Sequence, residues 1–174
     1  MRLCLLGDSC GKTSLVQRWI HPDRPIRPET TVAIDMKSFS MFIDKKRVVV
    51  QAWDCSGNSA YDNLLDKYIF NSSVTIICFD LTSIRSWEKA KYWIKRCHDK
   101  PFCLIGNKLD RESEREVKEY IVRQHLKNAF YYEVSASTGE NCKDALQMIV
   151  RESMRNTKIY TVRDFKAESS CFVM

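Results

Sequence analysis

Residues 7–15, GDSCGKTSL, place a lysine and a hydroxyl directly behind a glycine-rich turn. That pattern is suited to phosphate. Successive backbone N–H groups in such a turn curl into a nest for an anion. A helix starting behind the turn adds its unpaired N–H groups and the positive end of its dipole. Lys12 supplies a mobile cation for the terminal phosphates of a nucleotide, and the Thr13 hydroxyl is a ligand for Mg2+. Asp8, Ser9, Cys10, Gly11, Lys12, Thr13 and Ser14 therefore form the candidate phosphate cradle. The common form of this loop is one residue longer between its first glycine and the Gly-Lys pair. Here only Asp8, Ser9 and Cys10 separate Gly7 from Gly11, so the nest is short by one N–H.

Two further stretches set polar residues at the ends of apolar runs. In WDCSG, residues 53–57, Asp54 offers a carboxylate to the Mg2+ held by Thr13. Gly57, with no side chain in the way, lets its N–H approach a terminal phosphate. GNKLD, residues 106–110, is the most discriminating piece. Asp110 can accept two hydrogen bonds from a guanine edge, one from the ring N–H and one from the exocyclic amine. Adenine presents no such pair. A site built on buried polar partners rejects the wrong analogue by roughly four to five powers of ten. Asn107 and the stem of Lys108 are expected to brace this loop and cover the base. Ser135 and Ala136 end another apolar run.

The elements that must position these residues are legible as alternating runs. RLCLL at 2–6 is a short buried strand, and LVQRWI at 15–20 has apolar residues at helical spacing. Residues 21–31, rich in proline, read as a loop. Residues 36–43 and 48–53 read as a hairpin around a polar turn at 44–47. The sequence then predicts a helix over 60–70, a continuously apolar strand over 74–81 and a helix over 83–98 bearing Ile84, Trp87, Trp93 and Ile94. A strand over 102–107, a charged surface helix over 114–127, a strand over 129–135 and a helix over 140–154 complete the pattern. Ala145, Met148 and Ile149 are the expected inner face of that last helix. Continuously apolar strands are covered on both faces. Their alternation with amphipathic helices predicts an α/β fold: a doubly wound, mostly parallel six-stranded sheet with one antiparallel edge strand. In such a sheet ligands bind beyond the carboxyl ends of the strands, and the four polar loops converge there.

The 174-residue chain is one domain of ordinary size, and 44% hydrophobic residues exclude wholesale disorder. Its net charge of +6 suits a phosphate ligand or an anionic membrane surface. No basic stripe interleaved with aromatics is present, so nucleic acid is not an expected partner. Neither a leader segment nor an apolar run of membrane-spanning length is seen, and a cytosolic chain is expected. Its eight cysteines show no Cys-x-x-Cys spacing, and Cys4, Cys78 and Cys103 lie in apolar runs, as reduced buried thiols do. Cys10, beside Lys12 and a helix start, is either a thiol of lowered pKa or simple packing for the loop.

With these motifs in hand, the chain resembles the Ras superfamily of small GTPases, most closely the Rab branch. The likeness covers residues 1–155 and rests on the loop at 7–15, Thr31 followed by IDMK, WD with Gly57, DLTS at 80–83, GNKLD, and EVSASTGEN at 133–141. It implies a GTP/GDP-binding switch that hydrolyses GTP with Mg2+ and serves vesicle and membrane traffic. By resemblance Thr31 is the switch threonine, so that Thr13, Thr31 and Asp54 form the metal set. Ser135 and Ala136 line the guanine pocket with backbone groups, beside Asn107, Lys108 and Asp110. Catalysis falls to Lys12, Thr31 and the residue at the position of the family's water-orienting glutamine, here Asn58. Effectors, an exchange factor and a GTPase-activating protein are the implied partners of a monomeric switch.

The departures carry their own expectations. Asn58 is one methylene shorter than glutamine, which predicts slow intrinsic hydrolysis. The serine-alanine-lysine motif ends here in Ser137, and Arg24 stands where the family has an aromatic residue beside guanine. Pro22, Pro25 and Pro28 stiffen that loop. Residues 59–63, SAYDN, differ from the usual Rab run. The tail at 156–174 ends in Cys171-Phe172-Val173-Met174, a CaaX box, which makes Cys171 the expected site of a prenyltransferase. A terminal Met favours farnesyl, and one lipid chain with little basic help predicts weak, reversible attachment to a cytosolic membrane face. Two rivals stay open: a pseudo-GTPase interaction module, favoured by the short loop and Asn58, and a P-loop nucleotide kinase, disfavoured by GNKLD and the CaaX box.

Overall fold

The computed structural model describes residues 1–27, 29–97, 100–126 and 130–155. Residues 156–174, and Cys171 with them, lie outside the described residues, as does Pro28. RLCLL forms β1 (Arg2–Leu6), and its side chains alternate between two buried faces. Leu3 and Leu5 enter one half of the core while Cys4 and Leu6 enter the other. Such a run makes a central strand. β1 pairs in parallel with β3 (Lys46–Cys55) on one side and with β4 (Val74–Asp80) on the other. β5 (Phe102–Asn107) and β6 (Tyr131–Glu133) extend the sheet in parallel, and β2 (Ile34–Ile43) adds the antiparallel edge beyond β3. The six-strand order is β2-β3-β1-β4-β5-β6.

The edge hairpin is longer than expected because its turn is tighter. Asp44 and Lys45 both adopt positive φ, 47° and 65°. Two such residues make the turn whose twist matches paired strands, so Lys46 already pairs with Ile43. Asp44 is also held by Arg151 at 3.2 Å.

Helices cover both faces. α1 (Lys12–Ile20) and α5 (Cys142–Met154) pack Leu15, Val16, Ala145, Leu146 and Ile149 on one side. α2 (Asp62–Asn71) and α3 (Ile84–Arg96) pack Leu65, Ile69, Trp87, Trp93 and Ile94 on the other. Ion pairs join α2 to α3: Lys89 to Asp62 at 2.8 Å and Arg96 to Asp66 at 2.8 Å. Two expected inner residues sit elsewhere. Ile84 opens α3 and is exposed, because the inward stripe starts at Ser86 and Trp87. Met148 is half-buried on the flank of α5, whose inward stripe runs through Cys142, Ala145, Leu146, Ile149 and Val150.

The helix predicted over 114–127 is corrected. The chain forms a 3-10 turn over Leu109–Glu114, and α4 is confined to Glu119–His125. Between them Arg115 is extended, and the N–H groups of Glu116 and Val117 both bond to the Leu81 carbonyl. Arg115 grips Glu133 at 2.7 Å. A charged, helix-compatible sequence is thus overridden by the end of β4 and by β6. The strand predicted over 129–135 is observed only as β6, since Val134 and Ser135 turn away to reach Gly106, Glu140 and Asp110; Ala129 lies outside the described residues.

Candidate functional site

β1 ends at Leu6, in the middle of the sheet, where the strand order reverses. The phosphate loop follows at that switch point, and α1 begins at Lys12, three positions earlier than its apolar spacing suggested. The shortened loop closes by two means. Ser9 takes φ 45° and Gly11 φ 82°, which bend the chain sharply. Cys10 turns wholly into the core, where it lies beside Cys78. The interaction between the two thiols lowers Cys10 against the effect of burial and raises Cys78. With no exposed surface, Cys10 packs the loop from below. A Cβ on Gly11 would lie 2.6 Å from Asn107 Nδ2, so only glycine fits there. Lys12 is buried and donates from Nζ to the Gly7 carbonyl at 2.8 Å, across the mouth of the turn. Gly57 sits against the opposite lip, where an added Cβ would be 3.0 Å from Asp8 Oδ1.

Asp54, near the end of β3, is 2% exposed. Its Oδ2 accepts from the Thr13 hydroxyl and from the Thr31 hydroxyl, the latter at 3.1 Å. The two hydroxyl oxygens stand 2.8 Å apart. Thr31 comes from the proline-rich loop and Thr13 from the first turn of α1, so three separate segments meet here. Octahedral Mg2+ at its usual bond length sets neighbouring ligand oxygens about 2.9 Å apart. Asp54 Oδ1 is buried without a hydrogen-bond partner. Burial raises the Asp54 carboxyl above its ordinary range, against hydrogen bonds from Thr13 and Thr31 and the charge of Lys12. A triangle of hard oxygens with one spare buried carboxylate oxygen fits a divalent cation.

The other end of the site is organised by Asn107, buried at the end of β5. Its Nδ2 donates to the Cys10 carbonyl at 2.8 Å, and its Oδ1 accepts from Ala136 N–H at 2.9 Å. One amide therefore joins the phosphate loop to the loop after β6. Asp110 accepts from the Ser135 hydroxyl at 2.5 Å, while that hydroxyl accepts from Thr138 N–H at 3.0 Å. Lys108, at φ 70°, sends its ammonium to Asp80 at 2.6 Å. Burial pushes the Asp80 carboxyl up, and Lys108 with Thr82 more than offset it, leaving it below the usual carboxylate range. Lys108 also lines a cavity of about 670 Å3 together with Lys12, Thr13, Thr31, Gly57 and Asn58. Glu29, Thr30 and Ser56 line it too; their adjacency to Thr31 and Gly57 was the only signal for them.

A family model, that of the Ras family, matches residues 2–155. The chain belongs to the Ras family. Membership supplies the general chemistry, that of a small GTPase switch of P-loop architecture. Within that Ras-family frame two side chains stand out. Asn58 is exposed, and its Oδ1 accepts from Ala60 N–H at 3.0 Å, so it caps the 3-10 turn at Ser59–Tyr61. Arg18, which the motifs passed over, is 8% exposed on a helix face otherwise occupied by Leu15, Val16 and Trp19. A charged residue on an apolar stripe was the available sign.

Proposed function

We propose that this chain is a Rab-like member of the Ras family, a GTP/GDP switch with slow intrinsic hydrolysis that works in membrane traffic. The observation that carries the reading is the meeting of Thr13, Thr31 and Asp54 beside Lys12, with Asn107 tying that phosphate loop to the Ser135-Ala136 loop. Phosphates and base would then be held by one connected frame. The nucleotide phosphates lie along the N–H groups of residues 8–14, with Lys12 neutralising their charge. Thr13, Thr31 and Asp54 would hold Mg2+, which when bound supplies charge neutralisation at the β- and γ-phosphates. Asp110 accepts from the guanine edge, oriented by Ser135. Thr31 is the residue that senses the γ-phosphate, since its hydroxyl stands with Thr13 and Asp54 at the metal position, and its release on hydrolysis is the switch.

Asn58 takes the place of the water-positioning group, but its amide is engaged by its own helix cap. That engagement, together with the shortened loop, favours slow turnover and also keeps a second reading in play, a pseudo-GTPase that binds nucleotide without cycling. Affinity for GDP and GTP with Mg2+, followed by single-turnover hydrolysis, separates them. Micromolar or tighter binding with measurable phosphate release supports the switch. Binding without release supports the module, and no binding overturns both. For the membrane, Cys171 is the proposed lipid-bearing residue and farnesyl the expected chain. Mass spectrometry of the C-terminus from a prenylating cell tests it, and an unmodified Cys171 removes the membrane assignment.

A further inference from the structure

We infer that Arg18 is a positioning residue that couples the base-binding loop to the loop carrying Thr31, an inference that rests on the nucleotide-switch reading above. Its guanidinium donates to four backbone carbonyls in two segments that are distant in sequence. Nε reaches the Ala136 carbonyl at 2.9 Å and Nη2 reaches that of Ser137 at 2.5 Å. Nη1 donates to the carbonyl of Pro22 and, at 3.3 Å, to that of Arg24. The first pair belongs to the loop whose Ala136 N–H bonds Asn107 and whose Ser135 hydroxyl bonds Asp110. The second pair opens the proline-rich stretch leading to Thr31.

The planar fork of an arginine suits this role. Its donors point in fixed directions, so satisfying four carbonyls at once fixes the distance between their two segments. A lysine at this place reaches fewer carbonyls and fixes no angle. The next residue strengthens the same joint, since Trp19 Nε1 donates to the Cys142 carbonyl at 3.0 Å, where the base-binding loop enters α5. α1 therefore holds the phosphate cradle at its first turn and the base loop at its last. A shift of residues 22–24 either strips Nη1 of its two acceptors or drags the whole rigid guanidinium, whose Nε and Nη2 hold Ala136 and Ser137, and leaving donors unpaired in a largely buried site is costly. The consequence is reciprocal linkage between base recognition and the position of Thr31's loop.

Arg18→Met, which keeps the stem and removes every donor, and Arg18→Lys, which keeps the charge, test this. In the nucleotide-free full chain, hydrogen–deuterium exchange should rise in residues 22–27 and in residues 135–139 together in Arg18→Met, and partly recover in Arg18→Lys. With fluorescent GDP the Met variant should release nucleotide about tenfold faster, and its preference for GDP over IDP, which lacks the exocyclic amine, should narrow. Exchange that rises in only one segment, or a GDP-over-IDP ratio within twofold of the parent despite a lower melting temperature, overturns the coupling and leaves Arg18 a packing residue. Failure of the parent to bind GDP sinks the switch reading alone, because the exchange experiment decides Arg18 without nucleotide.

Discussion

Asn58 and Asp54 show how single side chains set what this site can do. Asn58 spends its amide on the N–H of Ala60, two residues ahead. A longer side chain at that position has the reach to leave the cap and face the cavity that Asn58 lines. Asn58→Gln is expected to speed single-turnover GTP hydrolysis at least about tenfold, equivalent to about 1.4 kcal/mol of barrier; an unchanged rate would show that water positioning does not limit turnover. Asp54 poses an electrostatic problem instead. Burial raises its folded pKa above the unfolded value, with Thr13, Lys12 and Thr31 opposing. An acid so shifted favours folding below its unfolded pKa, and that contribution is lost as pH rises through the unfolded value toward the raised one. At neutral pH the ionised Asp54 therefore costs stability until a cation shares its charge. Asp54→Asn should melt at or above the parent in EDTA, yet lose the Mg2+-dependent slowing of GDP release. Melting well below the parent in EDTA would show that the ionised carboxylate stabilises the chain without metal.

At the scale of elements, the short phosphate loop is the test case. Cys10 fills the core beneath it, its carbonyl bonds Asn107, and Gly11 leads directly into α1. The closure preserves Lys12 and Thr13 at the helix start and gives up one N–H of the nest. Inserting a glycine between Ser9 and Cys10 should restore that donor and slow GDP release by about tenfold, since a hydrogen bond to a charged group contributes about 1.5–3 kcal/mol. Unchanged release, measured by fluorescent-nucleotide displacement, would mean the shorter turn already satisfies the phosphate. The loop also marks the limit of legibility. The missing residue could be counted in the sequence, but the inward turn of Cys10 depends on Cys78 in β4, which spacing along the chain does not place. β1 and β5 were readable to the residue because buried parallel strands are unbroken apolar runs. Residues 115–118 were not, since their extended path is set by the Leu81 carbonyl and Glu133. Arg18 escaped motif reading for the same reason: its partners are backbone carbonyls, which carry no sequence signature.

For the molecule as a whole, nucleotide is expected to act as a structural member. The sheet has a core half on each face, and each is packed through its own helices. The carboxyl edge differs, because there the joints are polar: Asn107 between two loops, Asp54 among two hydroxyls, and Arg18 across four carbonyls. The cavity of about 670 Å3 at this edge is lined by polar side chains, Lys12, Thr13, Thr31, Asn58 and Lys108 among them. A ligand that fills the cavity and meets those atoms binds the folded state alone, and by mass action stabilises it. GDP with Mg2+ at a hundred times its Kd should add about 2.7 kcal/mol, or about 5–10 °C of melting temperature in a chain of this size. Mg2+ alone should give a smaller shift, and ADP with Mg2+ less than GDP at equal concentration, because Asp110 would be left without the paired donors of guanine. Equal shifts for GDP and ADP would overturn the base assignment while leaving the phosphate loop intact. No shift with any nucleotide, in a protein that melts cooperatively, would mean that the polar edge is held by its own hydrogen bonds and that the switch has no ligand to read.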